Sequence, residues 1–199
     1  LIKSMMREGP VQCELIDEVV EAGERARRLT HLLELSTRCK VPVKQKLKPA
    51  VIIRQSAEFA LQGKSFSCTF DLPDCLPDVD IDPYQIERVV NNLVLNAVQA
   101  MEEGGSFETS AAAVDVEDGS VPDITAGRYV RAEFVDRGHG IRERDIVRVF
   151  DPFFTTKETG TGLGLSLCRM IVRNHCGDII IESVEGEGTK VSVYLPTAD

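Results

Sequence analysis

The residues best placed to do chemistry are Gly160-Thr161-Gly162-Leu163-Gly164-Leu165 and the aromatic and basic stretch before them, Phe150-Asp151-Pro152-Phe153-Phe154-Thr155-Thr156-Lys157. Glycine at every second position lets backbone approach a ligand and turn without a side-chain clash. The apolar run over residues 163–172 has the pattern of a helix. A helix N-terminus behind glycines is an anion site, and Lys157 adds a positive charge beside it. A glycine-rich turn that holds no ligand would use the same residues.

Two further groups have chemical potential. Residues 83–103 predict a helix capped by Asp82 with Pro83 at its start, apolar at Ile86, Val89, Val90, Leu93, Val94, Leu95, Ala97, Val98 and Met101. Its narrow polar strip is Arg88, Asn92, Asn96, Gln99 and Glu103, at steps of three and four. A buried amide left unsatisfied costs about 1–3 kcal/mol, and a carboxamide oxygen is a hard ligand suited to magnesium that already holds phosphates. Hydrogen bonds to neighbouring backbone would satisfy the same asparagines. The second group, Asp136-Arg137-Gly138-His139-Gly140-Ile141, ends a strand with a carboxylate beside bare backbone. A carboxylate so placed can accept from an exocyclic amine while glycines let a flat ring lie close; a plain Asp-Gly turn is the alternative. Neither Gly-x-x-x-x-Gly-Lys-Ser/Thr nor Gly-x-Gly-x-x-Gly occurs, which argues against P-loop and dinucleotide-binding enzymes.

Other elements must position these groups. Leu15, Val19, Ala22, Ala26, Leu29, Leu33 and Ser36 recur at four and three, the seam of a coiled coil or helix bundle, which one helix cannot bury alone. An amphipathic helix docked on the following domain has the same stripe. A lysine-rich linker between Pro42 and Pro49 follows, then a helix over 50–62 and a strand over 65–70. Strand patterns cover 106–116, 128–135, 178–184 and 189–195, and Glu185-Gly186-Glu187-Gly188 makes the last two a hairpin. Three helices and five strands after residue 45, with the late strands paired antiparallel, predict an α+β fold. Its form is a two-layer sandwich of a mixed, mainly antiparallel sheet with helices on one face, preceded by a bundle-type helix.

Composition narrows the partners. A net charge of −9 over 199 residues argues against a nucleic-acid binder, because counterion release needs a basic face. An acidic protein that binds a polyphosphate needs local positive charge from Lys157, a divalent cation or a helix start. The six cysteines show no Cys-x-x-Cys pair, which disfavours zinc and predicts buried reduced thiols. No apolar run is long enough to cross a bilayer and no secretory signal opens the chain, so the expectation is a cytoplasmic piece without direct membrane contact, on a parent free to carry an anchor.

In order, Asn92-Leu93-Val94-Leu95-Asn96-Ala97, Asp136-Arg137-Gly138-His139-Gly140-Ile141, Phe150-Asp151-Pro152-Phe153-Phe154, Gly160 to Leu165 and Gly186-Glu187-Gly188-Thr189 resemble the N box, first glycine box, F box, second glycine box and terminal Gly-Thr of sensor histidine kinases. The likeness spans about residues 45–196 and extends to the wider ATPase family of Hsp90, MutL and type II topoisomerases. It implies ATP and magnesium as cofactors. Asn96, with Asn92 one turn earlier, would hold the magnesium; Asp136 would accept from the adenine amino group, with Thr189 close through water. Gly138 and Gly140 would line the adenine pocket. Lys157, Gly162 and Gly164 would form a short lid over the phosphates, anchored by Phe153 and Phe154. Ile141, Gly160, Thr161, Leu163 and Leu165 complete the implied ATP-binding set.

Residues 24–38 are similar to the second helix of the family's dimerisation and phosphotransfer domain, which implies a division into 1–41 and 42–199 and a homodimer through that helix. The phosphoacceptor histidine box is absent: His31, His139 and His175 fall elsewhere and read as surface or capping residues. Arg88 stands where Gln or Glu is commoner, and Cys176 replaces the first glycine of a usual His-Gly-Gly. The resemblance implies transfer of the ATP γ-phosphoryl group to a histidine outside this chain and then to an aspartate of a response regulator receiver domain. A serine-directed kinase or ATPase of the same fold would lack the bundle helix. A non-catalytic nucleotide sensor stays open.

Overall fold

The computed structural model describes residue 23 and residues 41–101, 104–157 and 160–198. The chain divides between Lys40 and Val41. The heptad stripe at residues 15–36, the helix over 24–38, His31, Cys13, Cys39, Glu103, Glu158 and Thr159 lie outside the described residues.

A five-stranded sheet carries the fold. Its strands are β2 (Phe66–Asp71), β4 (Gly105–Val116), β5 (Gly127–Asp136), β6 (Asp178–Val184) and β7 (Gly188–Pro196), in the order β2-β4-β5-β7-β6. Period-two alternation sends Phe107, Thr109, Ala111, Val130, Ala132, Phe134, Ile179, Val191, Val193 and Leu195 into the core. Helices α1 (Pro49–Leu61), α2 (Pro83–Ala100) and α4 (Gly164–Asn174) bury Ile53, Ala57, Val89, Leu93, Leu167 and Ile171 against them. The other side carries a smaller cluster, Val116, Ile124, Tyr129 and Tyr194, beneath the 117–126 loop.

Antiparallel pairing holds for β4–β5, β5–β7 and β6–β7, whereas β2 and β4 are parallel. The chain leaves β2, runs through α2 and returns beside it, and such a helical crossover brings a strand back in the same direction. Two short strands, β1 (Gln45–Leu47) and β3 (Val79–Ile81), pair antiparallel outside the main sheet. Three residues are too few to show alternation, and the prolines around them resemble a loop. A one-turn helix α3 (Glu143–Ile146) is likewise too short to have a period. Helix α2 ends at Ala100, short of Glu103, and the loop after β5 docks on that end: the His139 N–H donates to the Ala100 carbonyl at 3.1 Å.

The cysteines depart from the expectation of buried thiols. Cys168 is buried, with burial pushing its thiol up to about 12, but Cys75 and Cys176 are exposed; all described cysteines are free. Among the described residues no helix is long and apolar enough to cross a membrane.

His175 is not a surface residue. It is 1% exposed at the end of α4, where its Nε2 accepts the Asp82 N–H at 2.9 Å and its Nδ1 lies 2.8 Å from the Ile171 carbonyl. Those partners fix a neutral ring with its proton on Nδ1. It ties α4 to the cap of α2, since Asp82 Oδ1 accepts from the Tyr84 and Gln85 N–H groups. Burial holds the His175 pKa below the ordinary imidazole value. The unfolded chain therefore takes up this proton first as pH falls, and stability drops from neutral pH through the ordinary histidine range. Thermal melts between pH 7 and 5 are expected to show this slope, and His175→Asn to flatten it.

Candidate functional site

Three strands bring one row of side chains together. In register, Asp136 of β5 lies opposite Thr189 of β7, which in turn lies opposite Ser183 of β6. Directly paired residues share a face, so all three point toward the helices. Asp136 is 8% exposed, and its Oδ1 accepts the Gly138 N–H at 2.9 Å. Burial raises its pKa, opposed by hydrogen bonds from the Gly138 and Thr189 backbone and by the charges of His139 and Lys157. The Ile141 N–H donates to Ser183 Oγ at 2.9 Å, which closes the 137–141 loop onto β6. Ser183 belongs to no motif in the sequence; only strand register places it here.

The glycines of this loop serve the protein's own packing. A Cβ at Gly138 would lie 2.6 Å from Ala100, and one at Gly140, where φ is +66°, would lie 2.0 Å from the Val184 carbonyl oxygen. Gly162, also at φ +66°, would place a Cβ 2.3 Å from the Phe153 carbonyl carbon. At these three positions bare backbone is required by close contacts inside the fold.

Helix α2 runs from this loop to the second glycine segment. Ala100 meets Gly138, and Asn92, about two turns earlier, has its Oδ1 3.5 Å from where a Cβ on Gly164 would stand. The Asn92 Nδ2 donates to the Arg88 carbonyl at 3.1 Å, the backbone satisfaction foreseen for these amides. Asn96 lies between the two ends and is half-buried, and its side-chain amide makes no hydrogen bond among the described residues. Groups of three or more His, Cys, Asp or Glu able to hold a metal are absent among the described residues.

Gly160 to Leu165 lead into α4. Leu163 is buried, Leu165 half-buried and Thr161 exposed. The N-cap residue Leu163 has no side-chain acceptor for the first-turn N–H groups, which stay open to an anion. Phe153, at φ +70°, donates its N–H to the Gly162 carbonyl at 2.8 Å, while the Phe154 ring stacks under the Arg148 guanidinium at 4.6 Å. The far end of α4 is held by Arg169 and Arg173, which bond Asp178 at 2.9–3.2 Å and share Asp123 Oδ2 at 3.0 Å. Burial alone would raise the Asp178 pKa, but those guanidinium bonds and the Ile179 N–H hold it low.

Lys157 lies against α2. Its Nζ donates to Gln99 Oε1 on α2, and its partial burial, which lowers the pKa, is opposed by the charge of Asp136. The lysine thus lies toward the Asp136 end, and Gln99, part of the α2 strip, holds it there.

Residues 81–199 match the family described as histidine kinase-, DNA gyrase B-, and HSP90-like ATPase. The sensor histidine kinase ZraS of Escherichia coli O157:H7 is 31% identical over 88% of this chain and 36% of its own length. Sporulation kinase E of Bacillus subtilis strain 168 is 36% identical over 63% of this chain and 16% of its own length. The chain thus spans about a third or less of these relatives. Among solved structures, the catalytic domain of histidine kinase ThkA has a TM-score of 0.62 at 29% identity, covering 77% of this chain and 95% of that one. Full-length ShkA in complex with AMPPNP has a TM-score of 0.67 at 20% identity, covering 97% of this chain and 40% of that one.

Proposed function

Because this chain belongs to the family of histidine kinase-, DNA gyrase B-, and HSP90-like ATPases, we propose that residues 42–199 bind ATP as the catalytic part of a two-component sensor histidine kinase. The observation that carries this is the buried Asp136 carboxylate at one end of the polar strip of α2, with the uncapped start of α4 at the other. A ligand along that strip would meet an acceptor at its base and open N–H groups at its phosphates. Asp136 takes the adenine amine; Gly138, Gly140 and Ile141 shape the loop around the ring. Gly160 to Leu165 and the N-terminus of α4 take the phosphates.

Asn96 and Asn92 fit a magnesium ion. The Asn96 amide is half-buried with no protein partner among the described residues, and Asn92 stands beside Gly164 at the head of α4. Magnesium bound there would neutralise phosphate charge, which is the main requirement of phosphoryl transfer. The chain's own residues then orient the nucleotide, so that the γ-phosphoryl group passes to an imidazole nitrogen of a histidine outside this chain as its bond to the β–γ bridging oxygen breaks and ADP leaves. Lys157 gives up Gln99 to reach the phosphates, an exchange of one hydrogen bond for an ion pair.

The same reading gives residues 1–41 the role of dimerisation helices, a response regulator aspartate as the next acceptor, and a cytoplasmic location, where ATP is available. Magnesium-ATP is expected to raise the melting temperature, by about 2.7 kcal/mol of added stability at a hundredfold excess over the dissociation constant. An unchanged melting temperature at millimolar nucleotide would reject the proposal.

A further inference from the structure

Ser183 Oγ has three polar neighbours: the Ile141 N–H at 2.9 Å, the Gly188 carbonyl oxygen at 2.8 Å and Thr189 Oγ1 at 2.9 Å. A serine hydroxyl has one proton to give and two lone pairs to accept with. A carbonyl oxygen only accepts, so the contact with Gly188 takes the serine proton. Ser183 then accepts from the Ile141 N–H and, with its remaining lone pair, from Thr189. The assignment has no freedom left: the Thr189 hydroxyl must spend its proton on Ser183, and only its lone pairs remain for a ligand.

Thr189 stands directly beside Asp136 in the β5–β7 pair, on the same face. The Asp136 carboxylate is also an acceptor, and its N–H partners are the backbone of Gly138 and Thr189. We propose that Ser183 is a positioning residue for base selection: by fixing the Thr189 proton away from the ligand, it makes this end of the pocket accept only. Such a pocket takes a base whose exocyclic amine meets these acceptors directly, and rejects one with a ring carbonyl at the same place. This rests on the reading of the site as a nucleotide pocket and names what selects its base. Rejection follows because a carbonyl oxygen would face two acceptors and leave them unpaired.

Removing the Ser183 hydroxyl frees the Thr189 proton to turn toward a carbonyl. Titrations of the wild type, Ser183→Ala, Ser183→Thr and Thr189→Val with ATP and with inosine triphosphate, which has a carbonyl in place of the amine, test this. The wild type is expected to prefer ATP. In Ser183→Ala the preference narrows by about five- to tenfold, the worth of one neutral hydrogen bond, mainly through tighter inosine triphosphate binding. Ser183→Thr restores the preference, which a merely structural loss would not do. If Ser183→Ala does not fold, Thr189→Val decides, since it leaves the Ser183 links to Ile141 and Gly188 in place: a narrowed preference supports the proposal and an unchanged one overturns it. A folded Ser183→Ala with the wild-type preference also overturns it, while ATP binding by the wild type keeps the nucleotide site itself. A wild type that binds neither nucleotide sinks both.

Discussion

Asp136→Asn is expected to weaken ATP binding at least tenfold while the unliganded protein keeps its fold. A hydrogen bond to a charged acceptor is worth about 1.5–3 kcal/mol, and each 1.4 kcal/mol is about tenfold in affinity. The amide replaces one acceptor oxygen with a donor, at a place where the Gly138 and Thr189 N–H groups and the ligand amine all need acceptors. One demand must then go unmet. Burial raises the Asp136 pKa, so the charge is costly in the empty protein. A group shifted this way gives its stability below the ordinary carboxylate range and loses it as pH rises through the folded pKa. At neutral pH the amide therefore relieves the empty state while harming the bound one. Calorimetric titration with ATP checks the affinity and a thermal melt checks the fold; wild-type affinity in the variant would reject Asp136 as the base acceptor.

Much of this site is legible in the sequence because its parts are local. The cap of α2 needs only Asp82 followed by Pro83, and both observed roles, acceptor for the first-turn N–H groups and Pro at the first turn, follow from neighbouring residues. The sheet strands alternate over seven or more residues in β4 to β7, enough for a period to show. What escapes is set by partners far along the chain. His175 resembles an exposed helix end until the Asp82 N–H, 93 positions away, is found on its ring. Ser183 is one of many strand serines until register sets it beside Thr189. The parallel edge of the sheet depends on where α2 returns the chain, which no residue in β2 encodes. The glycine boxes are a mixed case. Their positions are plain in the sequence, but the clashes that require glycine at 138, 140 and 162 come from Ala100, Val184 and Phe153. Spacing reveals that bare backbone is needed and leaves unsaid what presses on it.

The second large effect separates the metal from the base. Asn96→Ala is expected to cost at least about tenfold in ATP affinity at saturating magnesium, and close to nothing in its absence. Replacing residues that only support metal ligands typically costs about 10–100-fold in metal affinity, and a direct ligand should cost no less. Asn96 suits this test better than Asn92. The Asn92 amide bonds the Arg88 carbonyl and lowers the Cys168 pKa through a side-chain hydrogen bond, so Asn92→Ala would disturb the α2–α4 contact as well as the cation. Asn96 has no such partner among the described residues, and its loss removes one oxygen from the path between Gly138 and Gly164. Adenosine, which carries no phosphate and needs no cation, should bind the variant and the wild type alike. Titrations of ATP with and without magnesium, and of adenosine, give three affinities per protein. A fall confined to magnesium-ATP assigns Asn96 to the cation, whereas equal falls in all three would mean that the helix itself had shifted.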